Sequence, residues 1–132
     1  MPFHYEWYND EKTAMRYVAE GVWDWKDYHT CVRASLFSLH GIEHSVDSII
    51  DFTGSTREAL PSGFVAHART FGKKQSVTLS GRAVVIGLPD KAYTLLDVKE
   101  SKQLATSDGV IRFVSTEADI HPILEQWRTD SA

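Results

Sequence analysis

The fold is decided by a short apolar stretch, RAVVIG, at residues 82–87. Its length suits a β-strand, and its nearly continuous apolar residues are typical of a strand in a parallel sheet that is covered on both faces. A second strand, VDSIIDF, is predicted at residues 46–52. Between the two strands we predict a helix over residues 61–71, with Phe64 on its buried side. The sequence therefore predicts a parallel sheet at the centre of the fold.

The chain before this unit predicts a hairpin and a helix. Residues 3–8 and 14–20 have strand composition and are joined by the turn residues NDEK, so they predict an antiparallel pair. Asp24 is the expected N-cap of a helix that ends before Gly41. Apolar residues that recur at spacings of three and four mark its buried face. They are Trp25, Tyr28, Val32, Leu36 and Leu39.

The chain after residue 87 predicts a helix that opens at Pro89 and has Leu95 among its core residues, and then a strand at residues 110–114. A last helix follows, and Asp119 as its N-cap would place Pro122 in the first turn, where proline is tolerated. The predicted order is β-β-α-β-α-β-α-β-α. We therefore expect a single α/β domain over residues 1–132, with a mostly parallel mixed sheet and an N-terminal antiparallel hairpin.

Composition and charge narrow the function classes. The chain has 132 residues, of which 42% are hydrophobic and 24% charged, as in ordinary globular domains. Its net charge of −4 would repel a phosphate backbone, so we expect no nucleic-acid partner. No apolar run approaches the roughly 20 residues that span a bilayer, and MPFHYE lacks the start of a signal peptide. We expect a cytoplasmic protein without a membrane span.

Motifs for metal binding or catalysis are weak. HGIEH, at residues 40–44, has the spacing of one zinc-protease motif, but the helix is expected to end directly after His40, so the two histidines would not share a helical face. The single Cys31 excludes an intramolecular disulfide and is expected to be a packing residue. We predict no metal and no cofactor. Asp51, at the expected end of a buried strand, is the one candidate for a general base.

The most informative pattern is IIDFTG at residues 49–54, followed after a short loop by LPSGF at residues 60–64. Together with the order of elements, this resembles the STAS family, the anti-sigma-factor-antagonist fold. The resemblance places Ser62 where the family has its phosphorylatable serine, and matches Gly63 and Asp51 to the family's glycine and aspartate. The acidic residue that the family has before the serine is replaced here. The resemblance implies a non-enzymatic regulatory module whose partner is a regulator protein or a kinase.

The expected partner surface is the loop over residues 53–63 and the helix that follows it. Ser62 in a first helical turn would tolerate a phosphate, and Arg57 or Arg69 would neutralise its charge. The binding-surface candidates share a position near the strand ends: Asp51, Thr53, Arg57, Pro61, Gly63, Phe64, Trp23 and Arg69.

Three alternatives to this partner surface stay open. Ser62 could simply start the helix. The strand ends could hold a small amphipathic or anionic ligand between Trp23 and Phe64. The hairpin edge could pair two copies into a homodimer.

Overall fold

Six strands form one mixed sheet in the computed structural model, which describes residues 2–56, 60–71 and 73–131. In chain order they are β1 Phe3–Trp7, β2 Ala14–Gly21, β3 Val46–Ser55, β4 Leu79–Ile86, β5 Gln103–Ala105 and β6 Val110–Val114. The spatial order is β1-β2-β3-β4-β6-β5. The four central strands run parallel, and each edge strand pairs antiparallel with its neighbour. The predicted α/β class, the mostly parallel sheet and the N-terminal hairpin are confirmed.

Helices cover both faces of this sheet. They are α1 Trp25–Ser35, α2 Phe64–Ala68, α3 Asp90–Leu95 and α4 Ile120–Ser131. The first three helices contribute to one core cluster and α4 contributes to another, so α4 lies on the opposite face from α1, α2 and α3. None of the helices in the described ranges is long and apolar enough to cross a membrane.

The larger core lies under the first three helices and is rich in aromatic rings. Phe3 contacts Trp23 and Tyr28 edge to face, at centroid distances of 5.4 and 5.5 Å. Trp25 packs near Phe71 at 6.0 Å. Such contacts add to the free energy gained by burying the rings themselves. The α4 face has a smaller, mainly aliphatic core in which Trp127 is the one ring among the buried members that the structure describes.

The predicted N-cap of α1 is confirmed. Asp24 caps α1 and forms a capping box with Asp27: Asp27 N donates to Asp24 Oδ1 at 2.9 Å, and Asp24 N donates to Asp27 Oδ2 at 3.0 Å. The chain past α1 continues as a 3-10 turn over Leu36–Leu39, and Gly41 then takes a left-handed φ of 83°. The start of α4 at Ile120 places Pro122 in its first turn, as predicted, but Asp119 belongs to a 3-10 turn over Glu117–Asp119, and its carboxylate accepts from Thr116 Oγ1 at 2.8 Å.

Three elements differ from the prediction. The helix α2 is much shorter than residues 61–71, and α3 ends at Leu95, whose side chain is 54% exposed rather than in the core. The edge strand β5 was not predicted at all. The turns at Asp97 and Lys102, which deliver the chain to β5, have left-handed φ values of 58° and 53°. Neither residue carries the glycine signal for that conformation, so the sequence does not mark these turns.

Candidate functional site

A cleft opens on the surface between α2 and α3, beside the loop after β3. Its volume is about 450 Å³. Its lining is mostly apolar and includes Leu60, Pro61, Gly63, Phe64, Lys91 and Leu95. We call this the α2/α3 cleft. Since Pro61 and Phe64 are themselves buried, they form its floor, whereas Leu95 is exposed and Lys91 brings a charged side chain to it.

Ser62 lies between two residues that line the α2/α3 cleft, and its side chain is exposed. It does not lie in the first turn of a helix, which corrects the sequence expectation. The helix α2 begins at Phe64, with Gly63 as its N-cap at a φ of 77°. Glycine has no side chain to cap a helix, and its left-handed backbone turns the chain sharply before the helix starts. A phosphate on Ser62 would therefore stand on an exposed turn, without support from a helix N-terminus.

The position of α2 is fixed by an aromatic and imidazole stack against α1. The His67 ring lies on the Trp25 ring, with centroids 4.7 Å apart and planes 14° apart. His67 Nδ1 and His29 Nε2 are 3.0 Å apart and share a hydrogen bond. A β-carbon on Gly63 would come within 3.3 Å of the His67 ring, so the glycine also allows this close approach. Burial, followed by the charges of His67, Arg33 and Lys73, lowers the pKa of His29.

Asp51 is held in a closed ionic cluster on the α4 face of the sheet. Arg16 Nη2 and Nε donate to Asp51 Oδ2 at 2.6 and 3.1 Å. The same guanidinium donates to both carboxylate oxygens of Glu117, at 2.6 and 2.8 Å. Thr53 donates to the other oxygen of Asp51 through its backbone N–H at 2.8 Å and its hydroxyl at 2.6 Å. We call Arg16, Asp51, Thr53 and Glu117 the Arg16 cluster.

The Arg16 cluster makes Asp51 a poor general base. Burial by itself raises the pKa of Asp51, but the hydrogen bonds from Thr53 and Arg16 outweigh it, and the net pKa is lowered. The pKa of Arg16 is raised, chiefly by its hydrogen bond to Glu117. A base that takes a proton near neutral pH needs a raised pKa and a free oxygen. Asp51 has neither, and its contacts describe a structural ion pair.

Asp51 also lies deeper in its strand than expected. The strand β3 continues to Ser55, and Gly54 and Ser55 pair with Glu20 and Gly21 of β2 across an irregular register. Thr53 is exposed but turned back onto Asp51. Small residues such as Gly54 and Ser55 seldom predict a strand. The end of β3 is therefore set by its pairing with β2, which is a tertiary contact.

The remaining candidates are scattered. Trp23 is buried, contacts Phe3 and Phe52, and donates through its indole N–H to Ser55 at 2.8 Å, so its ring is not part of the surface. Arg69 is exposed at the end of α2. Arg57 lies outside the described residues. A small ligand held between Trp23 and Phe64 at the strand ends therefore has no exposed Trp23 ring to contact.

Sequence reasoning missed the residues that complete both arrangements. Glu117 and Arg16 are far apart along the chain, and only the pairing of β2 with β3 and the return of the chain at α4 bring them to Asp51. Lys91 and Leu95 reach the α2/α3 cleft because α3 packs beside α2. The one available signal was the regular placement of Leu95 and Lys91 four residues apart, on one face of a helix.

Other reactive groups are unremarkable in their surroundings. Cys31 is buried, and burial raises the pKa of its thiol to about 11, so it is a packing residue at neutral pH. His44 Nε2 donates to Lys12 O, 2.8 Å away, because a carbonyl oxygen only accepts. No group of three or more potential metal ligands occurs among the residues that the structure describes.

Comparisons with protein-family models, with curated proteins and with solved structures give no match for this chain.

Proposed function

We propose that this protein is a non-enzymatic regulatory module that binds a partner protein in the α2/α3 cleft. The observation that carries this proposal is a mostly apolar cleft of about 450 Å³ placed directly beside the exposed Ser62. Exposed apolar surface with a polar rim commonly marks a protein-interaction site. The resemblance of residues 49–64 to the STAS family supports the same surface, because it places the family's regulated serine at Ser62.

The cleft favours one kind of partner segment. Apolar groups of Leu60, Phe64 and Leu95 would receive an apolar side chain, and Lys91 is the charged residue among the described lining. We therefore propose a short segment that carries a large apolar residue and, near it, an Asp or Glu facing Lys91. In this arrangement the apolar contact supplies most of the affinity, and the charge contact supplies orientation.

Phosphorylation of Ser62 would regulate this contact. A phosphate adds about −1.5 to −2 charges on the turn that borders the cleft. Next to a partner segment with its own carboxylate, this charge weakens binding. A regulator protein and a kinase, which transfers the phosphoryl group from ATP to the Ser62 hydroxyl, are therefore the two partners that the proposal requires.

A displayed peptide library tests the proposal directly. We expect selected peptides to combine an apolar residue with an acidic one, and Leu95→Glu to weaken their binding by about tenfold or more, or 1.4 kcal/mol. Val77→Glu is the matched control, because Val77 is 98% exposed and lies outside the cleft lining. Loss of binding in both variants, or in neither, would contradict this docking site.

Ser62 provides a second, separate test with the same peptides. Ser62→Asp should weaken binding, whereas Ser62→Ala should leave it unchanged. Equal binding by the two variants would remove the switch from the proposal while leaving the docking site in place.

A further inference from the structure

A second cavity, with a very different lining, opens at the other end of the strands. Its volume is about 490 Å³, within the range of small-molecule sites. It lies where β3 and β4 begin, and it is closed on one side by the last turns of α4. The ionisable residues that line it are Glu11, His44, Asp47, Arg82 and Arg128. The partner surface proposed above uses none of these residues.

Asp47 is the most unusual member of this cavity. Its side chain is only 4% exposed, yet its hydrogen bonds fall on one oxygen. Ser80 Oγ donates to Oδ1 at 2.5 Å and Arg82 Nε donates to Oδ1 at 3.1 Å. No donor from the described part of the chain reaches Oδ2. Asp47 lines the cavity, so its second carboxylate oxygen, which has no donor from the described residues, can accept from a ligand bound there.

The electrostatic surroundings of Asp47 agree with this geometry. Burial raises the pKa of Asp47, and the hydrogen bond from Ser80 and the charges of Arg82 and Arg128 only partly offset it. A donor or cation at Oδ2 would remove this penalty. Since perturbed groups of this kind in a cavity are typical of binding sites, the charge pattern supports the same location.

The basic residues of the cavity differ in how firmly they are held. Arg82 is fixed: Nη1 donates to Trp127 O at 3.2 Å, and its guanidinium lies 5.5 Å from the Trp127 ring centre. Arg128 is 45% exposed, and among the described residues its one hydrogen bond goes to the neighbouring Glu125, at 3.1 Å. An exposed pair of this type is weak, so Arg128 can turn toward an anionic group at small cost.

We propose that this cavity binds a small zwitterion of the α-amino-acid class. Its ammonium group would donate to Asp47 Oδ2 and face Glu11, and its carboxylate would pair with Arg128. The reason for a zwitterion is the mixed lining: a purely anionic ligand would meet Asp47 and Glu11, and a purely cationic ligand would meet Arg82 and Arg128. A ligand that carries both charges matches both sets.

Thermal unfolding with each of the common L-amino acids at about 10 mM is the first test, because a ligand that binds only the folded state raises Tm. We expect at least one amino acid to raise Tm by about 2 °C or more. Calorimetry then compares this amino acid with its deaminated and decarboxylated analogues, which we expect to bind at least about tenfold more weakly. No rise with any amino acid, or equal binding by a singly charged analogue, would overturn the proposal.

Variants locate the site. Arg128→Gln should weaken binding by about tenfold or more, whereas Arg33→Gln, on the exposed side of α1 across the sheet, should not change it. Asp47→Asn should abolish binding, because its amide nitrogen would repel the ammonium group. Arg128 is half exposed, so its variant keeps the test valid even where Asp47→Asn unfolds. Unchanged affinity in Arg128→Gln would place the ligand elsewhere.

Discussion

Asp47 and Asp51 lie four residues apart on β3, on the same face of the sheet, and both are buried. They nevertheless have opposite environments. Asp51 accepts hydrogen bonds at both oxygens, from Arg16 and Thr53, and its pKa is lowered. Asp47 accepts at one oxygen, and its pKa is raised. The burial of a carboxylate on a strand therefore does not reveal its role, whereas the number and the placement of its donors do.

The two aspartates also fix the two ends of α4. The Arg16 cluster includes Glu117, in the turn just before α4, and Arg82 joins Asp47 to the backbone of Trp127 near its end. At the Arg16 end, the charged groups of the cluster are paired with one another. At the Asp47 end, one carboxylate oxygen has no donor from the described residues, and a cavity lies beside the residue. The contacts at the Arg16 end are those of a structural ion pair, and the Asp47 end holds the cavity proposed above to bind a zwitterion.

The largest expected effect on stability follows from the loss of Arg16. Arg16→Ala leaves Asp51 buried without its charge partner and frees Glu117. We expect the free energy of unfolding to fall by about 3 kcal/mol. This value is at the lower end of the range for a broken buried ion pair, because the Arg16 side chain retains 16% exposure. Urea denaturation measures this change. Arg33→Ala is the control, with an expected change within about 0.5 kcal/mol, and equal losses in the two variants would refute the structural role of Arg16.

A smaller effect separates the two aspartates directly. In Asp51→Asn the new amide nitrogen must face either Arg16 or Thr53, because both oxygens of Asp51 accept from donors. In Asp47→Asn the amide oxygen can replace Oδ1 and the nitrogen can replace the unpaired Oδ2. We expect losses of about 2 kcal/mol for Asp51→Asn and about 1 kcal/mol or less for Asp47→Asn. A larger loss for Asp47→Asn would reverse the comparison.

The smallest expected effect is a difference in pH dependence. A lowered pKa means that Asp51 contributes stability above pH about 4, which is lost as the pH falls through its folded-state pKa. A raised pKa means that Asp47 contributes stability below pH about 4, which is lost as the pH rises through its folded-state pKa. On acidification, the native protein should thus lose stability relative to Asp51→Asn and gain stability relative to Asp47→Asn.

Denaturation curves at a series of pH values measure these two differences. Folded-state titration of the two carboxylates by NMR is an independent check. Trends of the same sign in both variants would show that the two aspartates do not differ as the structure indicates.

Local sequence patterns predicted much of the fold because their causes are local. The alternation of residues 14–20, the cap at Asp24 and the apolar stretch at 82–87 each need only neighbouring residues to form a strand or a helix. The short β5, by contrast, depends on pairing with β6, and α2 is shortened by the left-handed turn at Gly63. Boundaries of this kind follow from contacts that arise after the chain has folded.

The sequence alone determined the α/β class, the parallel centre of the sheet and the N-terminal antiparallel hairpin. Only the tertiary structure decided that Asp51 accepts hydrogen bonds at both carboxylate oxygens and Asp47 at one. Arg16 reaches Asp51 from a neighbouring strand, and Arg128 reaches the cavity of Asp47 from the last helix. The pKa of a carboxylate depends on groups a few ångströms away in space, and in this chain those groups are distant in sequence.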